Sequence, residues 1–244
     1  MMVTICVPPE LAGLLELPVR TMFWDGTGEP PAGCASVTFW VPPYLFSTQH
    51  TRRAGVAAMP ALRVIQLLSA GVEHWSGDVP YGVVLCSGRG IHGRSTAELA
   101  IAGLLALLRD IPTYALQQRH AQWLPVEGES LDGKRVLIVG AGDIGQQVAC
   151  VAEALGAQVT LVARRPHPGA LGAHSVAELP RLLPEHDVVV LAVPATPATV
   201  GLVDAAFLAA MPGGAVLVNV SRGRVVDTDA LLAELTAGRL RAVL

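Results

Sequence analysis

The segment that most constrains the fold is VLIVGAGDIGQQVACVAEALGAQVTLVARR, residues 136–165. Residues 136–139 form a continuous apolar run of the kind that becomes a buried strand. Gly140, Gly142 and Gly145 follow as GxGxxG, and an amphipathic helix starts at once, with Asp143 and Ile144 in its first turn. Gly156 closes that helix, and a second apolar run occupies residues 159–162. The three glycines permit a tight turn, close approach of the backbone to a pyrophosphate, and close packing of helix on strand. The helix N-terminus offers unpaired N–H groups and the positive end of the helix dipole to the phosphates. A lone GxGxxG says little. Here strand, loop, helix and second strand all fall in register, and the unit is expected to bind a dinucleotide through Gly140, Gly142, Asp143, Ile144 and Gly145.

The end of the second strand bears on which dinucleotide. An NAD site places Asp or Glu about 20 residues into the unit, to accept hydrogen bonds from the adenine ribose. Counting from Gly140, that position falls at Ala163, followed by Arg164 and Arg165. No carboxylate repels a 2′-phosphate there, and two guanidiniums can clamp one. The expected cofactor is NADP in preference to NAD.

Around this unit, apolar runs at 3–7, 37–41, 64–68, 83–86, 188–193 and 216–220 read as strands. Stretches at 95–109, 144–155, 176–183 and 228–237 carry helical periodicity, and the closing RAVL could begin another strand. Continuous rather than alternating apolar strands suit a parallel sheet covered on both faces. Strands alternating with helices predict an α/β, doubly wound architecture. Residues 117–133 read as a surface connection. The expected division is a smaller lobe, residues 1–93, and a nucleotide lobe, residues 94–244.

Composition narrows the partners. A net charge of −3 supplies no electrostatic reason to expect nucleic acid or an anionic membrane. The widely spaced Cys6, Cys34, Cys86 and Cys150 form no CxxC pair, which fits reduced thiols better than a disulfide framework or a zinc site. MMVTICVPPE lacks the basic and apolar regions of a signal peptide, and the apolar stretch 97–108 is too short to span a bilayer. The expectation is a cytoplasmic protein with no metal, nucleic acid or membrane partner.

Beyond the glycine loop, the chain resembles the D-isomer-specific 2-hydroxyacid dehydrogenases in five segments, in that family's order. They are LLSAGVEHW (67–75), GIHGRSTAELAIAGLLALLRDI (90–111), Trp123, the loop itself, and LAVPATPATVGLVDAAFLAAMPGGAVLVNVSRGRVVDTDALLAEL (191–235). The resemblance implies a Rossmann nucleotide lobe and a flavodoxin-like substrate lobe. It implies that Arg222 is the active-site arginine, a planar fork suited to a substrate carboxylate or to polarising a 2-oxo group. It also implies that Ala70, Gly71 and Val72 offer backbone amides to the substrate carboxylate. Thr96, Val193, Pro194, Thr199, Val220, Ser221 and Arg222 then lie along the cofactor. The implied activity is hydride transfer between NADPH and a small 2-oxo acid such as glyoxylate or hydroxypyruvate, in a homodimer.

The sequence also departs from that pattern. The family follows its arginine with a Glu and a His, the His as general acid/base, and both are expected beyond Leu244, the chain being a portion of a longer enzyme. A positioned general acid contributes about 10²–10⁴-fold, or ~3–5 kcal/mol of barrier. His74 and His92 flank the substrate segments but read as polar loop residues; His50, His120, His167, His174 and His186 read as loop-like or exposed. Two alternatives stay open: a nucleotide-sensing binder without turnover, and another two-lobed dehydrogenase acting on phosphite or formate.

Overall fold

The computed structural model describes residues 3–14, 18–44, 48–75, 77–164 and 172–243. It divides into two compact units, Met1–His92 and Gly93–Leu244.

Among its described residues unit 1 holds five short strands: β1 (Thr4–Val7), β2 (Arg20–Phe23), β3 (Phe39–Trp40), β4 (Val64–Gln66) and β5 (Val84–Cys86). They pair in parallel in the order β2-β1-β3-β4-β5, the flavodoxin-type winding. Helix α1 (Gln49–Ala58) starts at Thr48, whose side chain accepts a hydrogen bond from the Thr51 N–H at 3.1 Å. The helix lies directly on Trp40, because a Cβ on Gly55 would come within 2.3 Å of that indole. Trp40 also packs against Trp24 and Trp75 in the core of this unit.

Unit 2 opens with α2 (Gly93–Leu108) and α3 (Ile111–Arg119). Six strands follow among the described residues: β6 (Arg135–Val139), β7 (Gln158–Ala163), β8 (His174–Ser175), β9 (Val188–Leu191), β10 (Val216–Asn219) and β11 (Arg241–Val243). Helix α4 (Asp143–Ala154) joins β6 to β7. The short α5 (Leu179–Leu182) lies between β8 and β9, α6 (Ala205–Ala210) between β9 and β10, and α7 (Thr228–Thr236) before β11. All six strands are parallel, in the order β11-β10-β9-β6-β7-β8, which is the dinucleotide-fold winding of two halves diverging from a central pair.

The sheet is buried on both faces, and alternate residues of each strand serve opposite cores. Val136, Ile138, Val188, Val190, Val216 and Val218 pack under α2 and α4. Leu137, Val139, Val189, Leu191 and Leu217 pack under residues 179–183, α6 and Leu240. Strands with no solvent face have no polar positions, which is why they read as unbroken apolar runs.

Among the described elements, β2, β8, α1, α3 and α6 were not expected from the sequence, and three of them show why. Strand β2 is a partly exposed edge strand, RTMF, with no apolar run to announce it. Helix α1 carries polar residues over its first half. Helix α3 extends to Arg119 and has no buried residue, so the connection expected from residue 117 begins later. Among the described residues no single helix is long and apolar enough to cross a membrane.

Candidate functional site

In unit 2, β6 and β9 lie side by side while the chain continues from them in opposite directions. Their carboxyl ends therefore border a crevice, the place where open α/β sheets bind ligands. The glycine loop leaves β6 at this point. Gly140 sits at φ +118°, and a Cβ there would come within 2.4 Å of the Ala192 carbonyl oxygen. Its N–H donates to the Val162 carbonyl at 2.8 Å. A Cβ on Gly145 would meet the Gly140 carbonyl at 1.8 Å, so helix and loop can pack only without it. Gly142 is different. Nothing in the chain lies within 4 Å of the place its Cβ would occupy. The first two glycines named are demanded by the fold, whereas Gly142 leaves an open cradle just before the N-terminus of α4.

The crevice fits a dinucleotide on that observation. The open space at Gly142, and the first-turn amides of Asp143 and Ile144, match a pyrophosphate. The Asp143 carboxylate turns away toward the start of α2: a Cβ on Gly93 would meet its Oδ2 at 1.8 Å. Asp143 therefore belongs to the loop through its backbone, and its side chain braces the first turn of α2. Thr96, half-buried, lies in that same turn.

The neighbouring strand ends converge on the loop. The Val193 side chain lies 3.1 Å from where a Gly140 Cβ would sit. The Val193 N–H donates to the Ser221 hydroxyl at 2.9 Å, tying the loop after β9 to the loop after β10. After Pro194 the chain is held by Thr199, whose hydroxyl donates to the Pro194 carbonyl and accepts from the Thr196 N–H. Val220 donates its N–H to the Leu191 carbonyl at 3.1 Å and packs against the α2 side of the core. Strand β7 ends at the half-buried Ala163, followed by the exposed Arg164. Arg165 lies outside the described residues.

Arg222 follows Ser221 in extended conformation, exposed, with Nη1 donating to the Ser221 carbonyl at 2.8 Å. Its backbone is fixed by Asn219, a residue the motif reading passed over. The Asn219 Oδ1 accepts from the Ser221 N–H at 2.9 Å, and its Nδ2 donates to the Arg222 carbonyl at 3.2 Å. An Asn closing an apolar strand and followed by Ser is a signal for such a side-chain-closed turn.

Unit 1 holds the other expected segment at the carboxyl end of β4. Among the described residues, none of the amides of Ala70, Gly71 and Val72 meets an acceptor. The turn is held by other groups. The Ser69 hydroxyl donates to the Gly71 carbonyl at 2.9 Å, and the Ser69 carbonyl accepts from the Gly88 N–H at 2.7 Å. Beside it lies a small cavity of about 80 Å³, bordered by Pro43, Tyr44, Arg52, Ser69, His74 and Trp75 among others. The Arg52 guanidinium lies over the Trp75 ring and donates to Asp78 at 2.9 Å. Arg52 first, and Arg53 second, hold the Asp78 carboxyl below the usual carboxylate range. His186, expected to be exposed, is buried. Its Nδ1 lies 2.7 Å from the Leu182 carbonyl and its Nε2 2.9 Å from the Thr160 hydroxyl, a packing role. Among the described residues no group of three or more His, Cys, Asp or Glu could hold a metal ion.

Residues 101–244 match the family pattern described as the D-isomer specific 2-hydroxyacid dehydrogenase, NAD binding domain. The chain belongs to that family. Unit 2 is thus a 2-hydroxyacid dehydrogenase NAD-binding domain, and its glycine loop stands where such a domain needs it. A putative D-3-phosphoglycerate dehydrogenase of Schizosaccharomyces pombe is 32% identical over 197 residues, covering 79% of this chain and 42% of its own length. The chain thus spans about two fifths of that relative. A D-isomer specific 2-hydroxyacid dehydrogenase family protein of Aeromonas salmonicida superposes with a TM-score of 0.88 at 26% identity, over 100% of this chain and 81% of that one. An NADPH-dependent glyoxylate/hydroxypyruvate reductase of Sinorhizobium meliloti, solved with NADP and malonate, gives 0.77 at 26% identity over 98% and 77%.

Proposed function

We propose that this dehydrogenase reduces a small 2-oxo acid with NADPH. The observation that carries the reading is the end of β7, where Ala163 and Arg164 stand in place of a carboxylate. A ribose 2′-phosphate has nothing to repel it there and one guanidinium, or two with Arg165, to bind it. Charge-assisted hydrogen bonds of this kind contribute about 1.5–3 kcal/mol, or about 10–100-fold in affinity. The Sinorhizobium reductase, which carries NADP, supports the same choice.

Gly140, Gly142 and Gly145, with the α4 amides, hold the pyrophosphate, and Val193, Pro194, Thr199, Val220 and Ser221 line the cofactor's path. The bound nicotinamide supplies the hydride. The chain's own part is to hold the acid and polarise its carbonyl. Ala70, Gly71 and Val72 present three unengaged amides suited to a carboxylate. Arg222 presents a planar cation to the 2-oxo group, where a preorganised donor is worth about 10²–10³ in rate. Helix α3 and the segment after it expose Ile111, Tyr114, Leu116, Trp123 and Leu124, an apolar strip suited to pairing with a second copy.

The test is a pair of dissociation constants for NADPH and NADH, with NADPH oxidation measured across glyoxylate, hydroxypyruvate and related acids. NADPH should bind at least about tenfold tighter, and Arg164→Ala should remove most of that margin. Equal affinities in the parent protein overturn the cofactor assignment. No binding of any 2-oxo acid overturns the substrate assignment.

A further inference from the structure

Gly93 opens α2 and is buried; Asp143 opens α4 and is half-buried. The two share one small space at the mouth of the cradle. A Cβ on Gly93 would overlap the Asp143 carboxylate, lying 2.5 Å from its Cγ and 2.9 Å from Oδ1, with Oδ2 closer still. The carboxylate therefore occupies the place that the side chain of any other residue at position 93 would take. The two helices approach this closely because both bring small residues to one core. These are Gly93, Ala97 and Ala100 on α2, and Gly145, Ala149 and Ala152 on α4, all buried.

This seat matters because of where Asp143 stands. It directly follows Gly142, beside which lies open space, and no side chain caps the start of α4. The first-turn N–H groups and the positive end of the helix dipole attract any nearby anion. A carboxylate at position 143 and a pyrophosphate are thus rivals for one helix end, and like charges at close range disfavour each other. Among the described residues no cation pairs with Asp143 to cancel its charge. What holds the charge aside is its position against the bare backbone of Gly93.

We propose that Gly93 is a positioning residue for the dinucleotide. By having no side chain it seats the Asp143 carboxylate on α2, and so keeps that carboxylate from competing for the N-terminus of α4. The proposal rests on the pyrophosphate placement above and adds the residue that keeps the place free.

The test measures NADPH and NADH dissociation constants by cofactor fluorescence for the parent, Gly93→Ala and the double variant Gly93→Ala/Asp143→Asn, with circular dichroism to check the fold. Gly93→Ala should weaken both nucleotides at least about tenfold and by the same factor, because they share the pyrophosphate. Adding Asp143→Asn, which removes the charge and keeps the shape, should recover most of that loss. If the amide recovers nothing, the loss is one of packing and the proposal is overturned. Unchanged affinity in a folded Gly93→Ala protein overturns it as well. A second pair leaves α2 untouched: Asp143→Glu and Asp143→Gln are equally long for the seat and differ in charge. The Glu variant should bind both nucleotides at least about fivefold more weakly than the Gln variant. Equal affinities of that pair overturn the proposal even where Gly93→Ala fails to fold. A parent protein that binds neither nucleotide overturns the pyrophosphate placement together with the proposal, whereas equal NADPH and NADH affinities overturn the cofactor preference alone.

Discussion

Both units are wound from parallel strands, yet they bury them differently. In unit 2 each central strand feeds two cores, and residues such as Ile138 and Leu137 are sealed on opposite faces. In unit 1 one face is sealed by the Trp24, Trp40 and Trp75 cluster, while the other carries only a small cluster around Ile5, Val7 and Val41. That second face borders an open apolar cavity of about 380 Å³, lined by Val3, Leu11, Val19 and Phe39 among others. Parallel strands in the two units should therefore differ in what their side chains contribute to stability, because hydrophobic stabilisation follows area removed from water.

The largest expected effect tests this directly. Ile138→Ala should cost about 3–5 kcal/mol, since the sealed core cannot collapse around the lost atoms. Ile5→Ala should cost about 1–2 kcal/mol, because it enlarges a space that is already open. The tryptophans separate the two readouts. Trp24, Trp40 and Trp75 are buried in unit 1, whereas Trp123 is 93% exposed. Urea unfolding followed by tryptophan fluorescence thus reports unit 1, and hydrogen exchange of the β6 amides reports unit 2. Equal losses for the two variants would mean that the second face of unit 1 is covered in solution.

The same contrast explains what the sequence made legible. The apolar runs of β6, β9 and β10 were plain, because burial on two faces leaves no polar position within them, whereas Thr160 interrupts β7. The β3 run was read as residues 37–41, but only Phe39–Trp40 pair, and the edge strand β2 carried no pattern at all. Helix α3 was missed because a helix with no buried face has no apolar period to read. At the candidate site, Gly140 and Gly145 could be picked out by spacing alone. Asn219 could not: its role is a pair of hydrogen bonds to the following backbone, visible only once β10 ends where it does. The turn of the Asp143 side chain toward Gly93 depends on two segments fifty residues apart, which no local pattern encodes.

The next prediction lies within the glycine loop and separates folding from binding. Gly140→Ala puts a Cβ 2.4 Å from a backbone oxygen at a positive φ, and it should cost about 1–3 kcal/mol as well as dinucleotide affinity. Gly142→Ala meets nothing in the chain, so stability should change by less than about 0.5 kcal/mol. Dinucleotide affinity should nevertheless fall by about tenfold or more, because the methyl group fills the cradle. Cofactor fluorescence titration and thermal melts of both variants check the pair. A Gly142→Ala protein that binds as tightly as its parent would place the pyrophosphate elsewhere.

The smallest effect concerns acid, and again the units should differ. In unit 1 the Asp78 carboxyl is held below its usual 3.8 by Arg52 and then Arg53. In unit 2 the Glu178 carboxyl is held down from 4.5 to about 2 by Arg181, the Ser175 backbone N–H and His174. A carboxyl depressed in the folded state binds its proton more readily when unfolded. Its stabilisation is therefore complete above the unfolded value and is lost as pH falls through the folded one. Asp78 links α1 to the Trp75 turn, so its protonation should loosen the unit that carries the tryptophan signal. Fluorescence-monitored urea midpoints should fall as pH drops below the ordinary carboxylate value of 3.8, and Asp78→Asn should flatten that slope. Glu178 stays on the surface of unit 2, pairing with Arg181 at 2.8 Å, and Glu178→Gln should leave the tryptophan-monitored midpoint unmoved. If Glu178→Gln instead flattened the fluorescence slope as much as Asp78→Asn does, the two units would not titrate independently, and the contrast between them would hold for packing alone.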